Sequence, residues 1–381
     1  MSREGAMKPR AVVLTWLAFA LPVLILAAVL WHGPGSASAQ QRFVWKAQSA
    51  WPATNLLHLS ALEYVKMIDE MSAGRLKIEM GAAGTVVGSF EVLDAVNRGL
   101  IDATHAWPGY WAGKNSAAGL FAPGPGGPFG MDREEYIAWL FAAGGLELYN
   151  EMLQKELKMN VIVPVFTTSL PYWEPLGWFK RPFASLDDLR KMRFRTSGLG
   201  MEMMKAMGIS VVTLAGGEVI PALERGAVEG AEWAIPSHDI VMGFQNVAKN
   251  YYMPDLRQPA SYQEIIVNRK KWDELPKDLQ AIVKWAGMAE IIRMTAVSVD
   301  QDSKAAEDLE KKHGVKIQTT PPDILKAQVE AIDKVYATEA QKNPFFAKVL
   351  KSQRDFAARA VPHAQKIRPP IEVVVAHYFK K

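Results

Sequence analysis

One phrase occurs twice in this chain, and it limits the possible folds more than any composition figure does. EVLDAVNRGLIDAT fills residues 91–104 and EVIPALERGAVEGA fills 218–231, an offset of 127 (218 against 91). The copies share E-V, an alanine four residues after the glutamate, R-G, and an acidic residue three after the glycine. In the first copy Val92, Leu93, Ala95 and Val96 fall at helical spacing. Gly99 stands where a left-handed C-cap is needed, and Leu100-Ile101 opens a short strand. The second copy matches with Val219, Ile220, Ala222 and Leu223, then Gly226, then Ala227-Val228. Each copy predicts a helix, a glycine stop and a strand, which is half of a β-α-β unit. Two such copies a domain length apart predict two similar α/β lobes.

The 381 residues are enough for two domains with real cores, and 49% hydrophobic with 22% charged residues is ordinary globular composition. The formal net charge is +4, of which +2 comes from Arg3, Lys8 and Arg10 against Glu4 at the extreme N-terminus. The rest carries interspersed charges of both signs, which argues against a nucleic-acid footprint. Lys8 and Arg10 precede an apolar run from Val12 to Trp31, followed by Ala37-Ser38-Ala39. That order predicts an export signal over 1–39, cleaved after Ala39, although the run is long enough to stay as an anchor. The absence of cysteine fits export to an oxidising compartment and excludes thiolate nucleophiles and Cys-ligated metals.

The two copies lead into different segments. His105-Ala106-Trp107-Pro108-Gly109-Tyr110-Trp111 comes after the first, and Glu232-Trp233-Ala234-Ile235-Pro236-Ser237-His238 after the second. Ligands of open α/β sheets bind beyond the carboxyl ends of strands, so two such aromatic-rich ends predict the walls of a cleft. Between the copies, Arg193 and Arg195 share one face of a predicted strand while Met192 and Phe194 share the other. An arginine at a strand end suits a carboxylate through its bidentate fork. Gly198-Leu199-Gly200-Met201 lacks the third glycine of a dinucleotide fingerprint and is expected to be a helix-start turn. No nucleophile elbow, zinc-protease motif or Walker loop is present, so an enzyme has only Glu174 with Glu232 to offer as a catalytic pair.

The stretch 272–381 predicts amphipathic helices. One is expected to start with Asp323 as N-cap after Pro321-Pro322 and run to Ala340, with Leu325, Val329, Ile332 and Tyr336 on one face. Another starts at Asn343-Pro344 and ends near Val361, before Pro362. Such helices could brace the lobes or form a homodimer interface. The expected division is 1–39 signal, 40–165 first lobe with part of 251–271, 166–250 second lobe, and 272–381 bracing helices.

Arg193-Phe194-Arg195, together with the run from Ala215-Gly216-Gly217-Glu218 through Glu229-Gly230-Ala231-Glu232-Trp233, resembles the extracytoplasmic solute receptors of tripartite ATP-independent periplasmic (TRAP) transporters. The branch that binds 2-oxo acids and related hydroxy acids is the most similar. Phe43-Val44-Trp45-Lys46, Ala143-Gly144-Gly145-Leu146-Glu147-Leu148-Tyr149, Gly177-Trp178-Phe179 and Val267-Asn268 support the resemblance, which covers essentially the whole chain after residue 39.

The resemblance implies a two-lobed periplasmic binding fold that closes on a small organic acid and hands it to membrane permease subunits without bond making, and no organic cofactor. On that pattern Arg195 pairs with the ligand carboxylate, and Trp107, Tyr110, Trp111, Trp173 and Trp233 wall the pocket. Glu232, the Trp233 carbonyl and Gln258 hold a sodium or calcium ion that bridges the ligand. Two departures stand out. Glu174 falls near the place of an amide, and a second carboxylate favours a divalent ion or an amino group on the ligand. Asp255-Leu256-Arg257-Gln258-Pro259-Ala260 replaces an aromatic, glycine-containing stretch, and Arg257 brings an extra positive charge. An exported ligand-sensing subunit, sharing the pocket and differing in partner, is the rival function.

Overall fold

The computed structural model describes residues 41–125 and 127–379. The expected export signal lies outside them. Two sheets organise the chain. The first contains β1 (Phe43–Ser49), β2 (Leu76–Gly81), β3 (Ala103–Ala106), β4 (Val161–Leu170) and β10 (Ser261–Asn268), in the order β2-β1-β3-β10-β4. The second contains β5 (Gly177–Phe179), β6 (Arg193–Arg195), β7 (Ser210–Val212), β8 (Gly230–Ala231), β9 (Asn250–Met253) and β11 (Lys316–Thr319), in the order β11-β9-β5-β8-β6-β7.

The doubled phrase builds the same corner of both sheets. Its helices are Val92–Asn97 and Gly216–Glu224, each closed by a glycine at φ +71° (Gly99) or +70° (Gly226). The residue after each glycine donates back to the shared alanine, Leu100 to Ala95 and Ala227 to Ala222, both at 2.9 Å. The strands then begin at Ala103 and Gly230, later than Leu100 and Ala227, because the chain first completes these turns. The shared acidic residue also has a structural reason. Asp102 N–H donates to the Lys46 carbonyl while its carboxylate accepts the Lys46 N–H at 2.8 Å; Glu229 does the same to Arg193, with its carboxylate at 3.2 Å. Each acid thereby sets the register of a parallel pair, β1 with β3 and β6 with β8. Beyond that pair each sheet adds an antiparallel neighbour, β10 beside β3 and β5 beside β8. The lobes thus share a core topology, extended in the second sheet by β11.

Two segments pass between the sheets, 171–176 from β4 to β5 and 254–260 from β9 to β10, and Glu174 N–H donates to the Gln258 carbonyl where they run together. The helix Lys277–Lys311 has 35 residues, about 52 Å at 1.5 Å per residue, and leads from β10 to β11. It packs on β4 and on the helix Pro236–Met242, where Asp302 accepts the Ser237 N–H at 2.8 Å.

Several expectations for this region change. β11 interrupts the stretch expected to be mainly helices, and β4 carries the first sheet past residue 165 to Leu170. The helix expected from Asp323 is Pro322–Lys342 with Pro321 at its N-cap; Asp323 instead accepts the Leu186 N–H at 2.9 Å. Its buried face carries Ile324, Gln328 and Ala331, and Val329 is exposed. Asn343 caps the next helix as expected, yet that helix runs on through Pro362 to Ile367. Pro362 faces solvent, so the carbonyl it leaves unbonded can be hydrated.

Glu264 on β10 shows how buried charge is avoided in the first lobe. One carboxyl oxygen accepts both the Trp111 indole N–H (2.8 Å) and the Tyr149 hydroxyl (3.0 Å), and the other has no partner. Burial pushes its pKa up to about 8 from an ordinary 4.5, with the two donors opposing the rise. Because the folded value lies above the unfolded one, its contribution is fully present below about 4.5 and is lost as pH rises through about 8. Glu264→Gln keeps the acceptor and removes the titration. The wild type is therefore expected to lose more melting temperature than this variant between about pH 5 and about pH 9; parallel losses would show that Glu264 is not the titrating group.

Candidate functional site

A cleft of about 380 Å³, counting the open solvent at its mouth, lies where the two sheets meet the crossing segments. Trp51, Trp107 and Tyr110, at or just beyond the carboxyl ends of β1 and β3, supply one wall. Arg195 at the end of β6 and Glu232, Trp233 and Ala234 just past β8 supply the other. Glu174, Arg257 and Gln258 on the crossing segments form part of the lining. The aromatic walls touch across the gap, with Trp51 and Trp233 edge to face at 6.4 Å, while Trp51 packs 5.7 Å from Tyr110 on its own wall. The lobes are therefore closed on each other in this structure.

Strand alternation puts Phe194 in the core, but the two arginines do not share one environment. Arg193 begins β6 in solvent, whereas Arg195 ends it buried, 1% exposed. Its Nε and Nη2 donate to the Leu214 carbonyl at 3.2 and 2.8 Å, and Nη1 donates to the Glu232 carbonyl (2.9 Å) and carboxylate (3.1 Å). Of its five N–H groups, four are engaged and one remains. Trp233 lies over the guanidinium at 5.5 Å. The indole N–H groups of Trp107 and Trp233 are buried with no partner in the protein, although both residues line the cleft. Unmet buried donors in a polar cleft favour an acceptor-rich ligand such as a carboxylate.

Beside Arg195 lies a second buried guanidinium. Arg257 donates from Nη2 to Glu174 at 2.9 Å, and its Nη1 and Nε lie 3.5 Å from the carboxylates of Glu232 and Asp255. Gln258 donates to the other Glu174 oxygen at 2.9 Å. Burial pushes the Glu174 carboxyl up to about 8, opposed by Arg257 and reinforced by Glu232. Burial alone would lower the Arg257 pKa, but Glu232, Glu174 and Asp255 outweigh it and hold the group charged. A cation seated on Glu232, the Trp233 carbonyl and Gln258 would compete with this guanidinium for the Glu232 carboxylate.

Of the expected site residues the cleft brings together Trp107, Tyr110, Glu174, Arg195, Glu232, Trp233 and Gln258. Trp111 and Trp173 are not among its lining. The short turn Pro108–Trp111 sends the Trp111 indole into the core to reach Glu264, and Trp173 is half-buried away from the cleft. Trp51, Leu57, Leu170, Ser197, Ala234, Ser261 and Gln263 line the cleft without having been expected. Trp51 had a usable signal, because it stands just beyond the carboxyl end of a parallel strand.

Two similar α/β lobes closed over a buried arginine at their strand ends define a solute-binding protein of the two-lobed class. The chain belongs to the bacterial extracellular solute-binding protein family 7, whose profile matches residues 47–343. A monocarboxylate 2-oxoacid-binding periplasmic protein of Nostoc is 31% identical over 315 residues, 82% of this chain and 83% of that one. A TRAP periplasmic solute-binding protein of Pseudoalteromonas atlantica, solved with sodium and pyruvate, superposes with a TM-score of 0.79 at 27% identity, covering 89% of this chain and all of the other. One from Bordetella bronchiseptica, a dimer with calcium and picolinate in its occupied site, gives 0.80 at 25% identity over 89% of this chain and 97% of the other.

Proposed function

We propose that this chain is the periplasmic receptor of a TRAP transporter, capturing a short monocarboxylic acid of the 2-oxo or hydroxy type and delivering it to membrane permease subunits. The observation that carries this is Arg195, buried at the cleft with one uncommitted N–H and flanked by the partnerless indole N–H groups of Trp107 and Trp233. The acid enters an open form, takes these donors, and is shut from water as Trp51 and Tyr110 close against Trp233. Segments 171–176 and 254–260 serve as the hinge between the lobes, and the helices after residue 272 brace them. No bond is made or broken, since Glu174 and Glu232 are each held to arginines rather than poised as an acid–base pair. A thermal-shift screen against pyruvate, other 2-oxo acids, hydroxy acids and amino acids tests the assignment. A ligand at about 100 times its dissociation constant adds about 2.7 kcal/mol of stability, and no shift with any acid would refute it.

The receptor is further proposed to form a homodimer. Trp285, Ile292 and Val299 recur every seven residues along the Lys277–Lys311 helix and are 66%, 69% and 44% exposed. A single helix presents such a seam to a matching one. Ile292→Glu is expected to convert dimer to monomer in light scattering, while a monomeric wild type would remove the proposal.

A further inference from the structure

We propose that Arg257 is the built-in cation of this cleft, pairing with Glu174 and Glu232 so that the acid is bound without a metal ion. The proposal rests on the receptor assignment for its ligand, and on the geometry of the crossing segments for its substance. Both oxygens of each glutamate are already matched to nitrogen. Those of Glu174 face Gln258 and Arg257, each at 2.9 Å, and those of Glu232 face Arg195 at 3.1 Å and Arg257 at 3.5 Å. A calcium site needs six to eight oxygens at about 2.3–2.6 Å. Among the described residues, no group of three His, Cys, Asp or Glu side chains is arranged to hold a metal ion.

The guanidinium is also built into the fold rather than laid over it. Arg257 is 3% exposed, and its aliphatic stem passes directly over Gly200, where an added Cβ would stand 2.7 Å from Cδ and 3.0 Å from Cγ. The second glycine of the GLGM turn therefore has a role: it leaves room for the arginine. Asp255 completes the cluster, with its other oxygen held by Gln328 from the Pro322–Lys342 helix. A metal ion brought to Glu232 would lie against this fixed positive charge and meet like-charge repulsion. Two solved relatives were found with sodium and pyruvate bound, or with calcium and picolinate.

The test compares metal dependence in two forms of the full-length protein. Titration of the wild type with pyruvate, by calorimetry in sodium-free buffer with EDTA and again with sodium or calcium, is expected to give one dissociation constant. Loss of binding in EDTA with recovery on adding either ion would overturn the proposal. A second arm uses the metals alone. Calcium or sodium is expected to leave the wild-type melting temperature unchanged, whereas the folded Arg257→Gln variant, with its carboxylates uncompensated, gains a calcium-dependent rise. A metal-induced rise in the wild type would refute the proposal even if no acid bound, and that failure of acid binding would count against the receptor assignment alone. Should Arg257→Gln fail to fold, the wild-type arms decide.

Discussion

Arg195→Ala is expected to weaken acid binding by about 30-fold or more, because truncating one partner of a buried charge-assisted contact costs about 2–5 kcal/mol and about 1.4 kcal/mol is a factor of ten. The side chain does two things at once. Four of its N–H groups tie Leu214, two residues past β7, to Glu232 beyond β8, and the fifth is the one proposed to meet the ligand. Removing it should lower the melting temperature as well as the affinity. It should not unfold the lobe, since Glu232 keeps Arg257 at 3.5 Å and is not stranded as a bare buried charge. Arg195→Lys separates the two effects: an ammonium retains the charge but cannot span both carbonyls and the carboxylate. Calorimetry with the best acid from the screen, alongside circular dichroism, reads both variants. A cooperative melt with wild-type affinity in Arg195→Ala would mean that the acid is held elsewhere.

The doubled phrase made the lobes legible because its features are local: a helical run, a glycine with positive φ and an acid one turn later. The structure extends the correspondence beyond the phrase. Position 105, carrying histidine, occupies in the first lobe the place that position 232, carrying glutamate, occupies in the second. Each props a cleft residue from behind. His105 accepts the Trp51 indole N–H at 2.8 Å, kept neutral by burial and by His58, which lower its pKa to about 3; Glu232 holds Arg195.

The charge cluster was only partly legible. Glu174 and Arg257 lie on separate crossing segments that meet through the Glu174 to Gln258 backbone bond, and no periodicity or spacing reports such a meeting. The same limit hid the environment of Trp111. Its neighbours Trp107 and Tyr110 line the cleft, but a one-turn helix points it toward Glu264 on a strand far along the chain. β11 was missed because its lone strand of mixed burial, Lys316–Thr319, lies between helices and carries no alternating apolar pattern.

Gly230→Ala is expected to destabilise the protein by about 3 kcal/mol, at the upper end of the usual cost of overpacking a core, even though the equivalent residue of the first lobe is already alanine. The two positions differ in their cross-strand partners. Gly230 pairs with Phe179 on β5 and Phe194 on β6, whose rings stack at 5.4 Å with planes 10° apart. An added Cβ would stand 2.4 Å from the Phe179 ring and 3.0 Å from that of Phe194. Ala103 pairs instead with Ala47 on β1 and Val267 on β10, and small neighbours leave room for its methyl. The clash in the second lobe can be relieved only by parting the aromatic stack or by shifting β8, and a shift would carry Glu232, two residues on, out of register with Arg195. Gly230→Ala should therefore lose affinity as well as melting temperature, whereas Ala103→Gly should cost about 1–2 kcal/mol, from backbone entropy and the loss of one buried methyl, and bind normally. Equal melting temperatures for wild type and Gly230→Ala would show that the sheet absorbs the methyl, and the precision assigned to the β8 register would have to be abandoned.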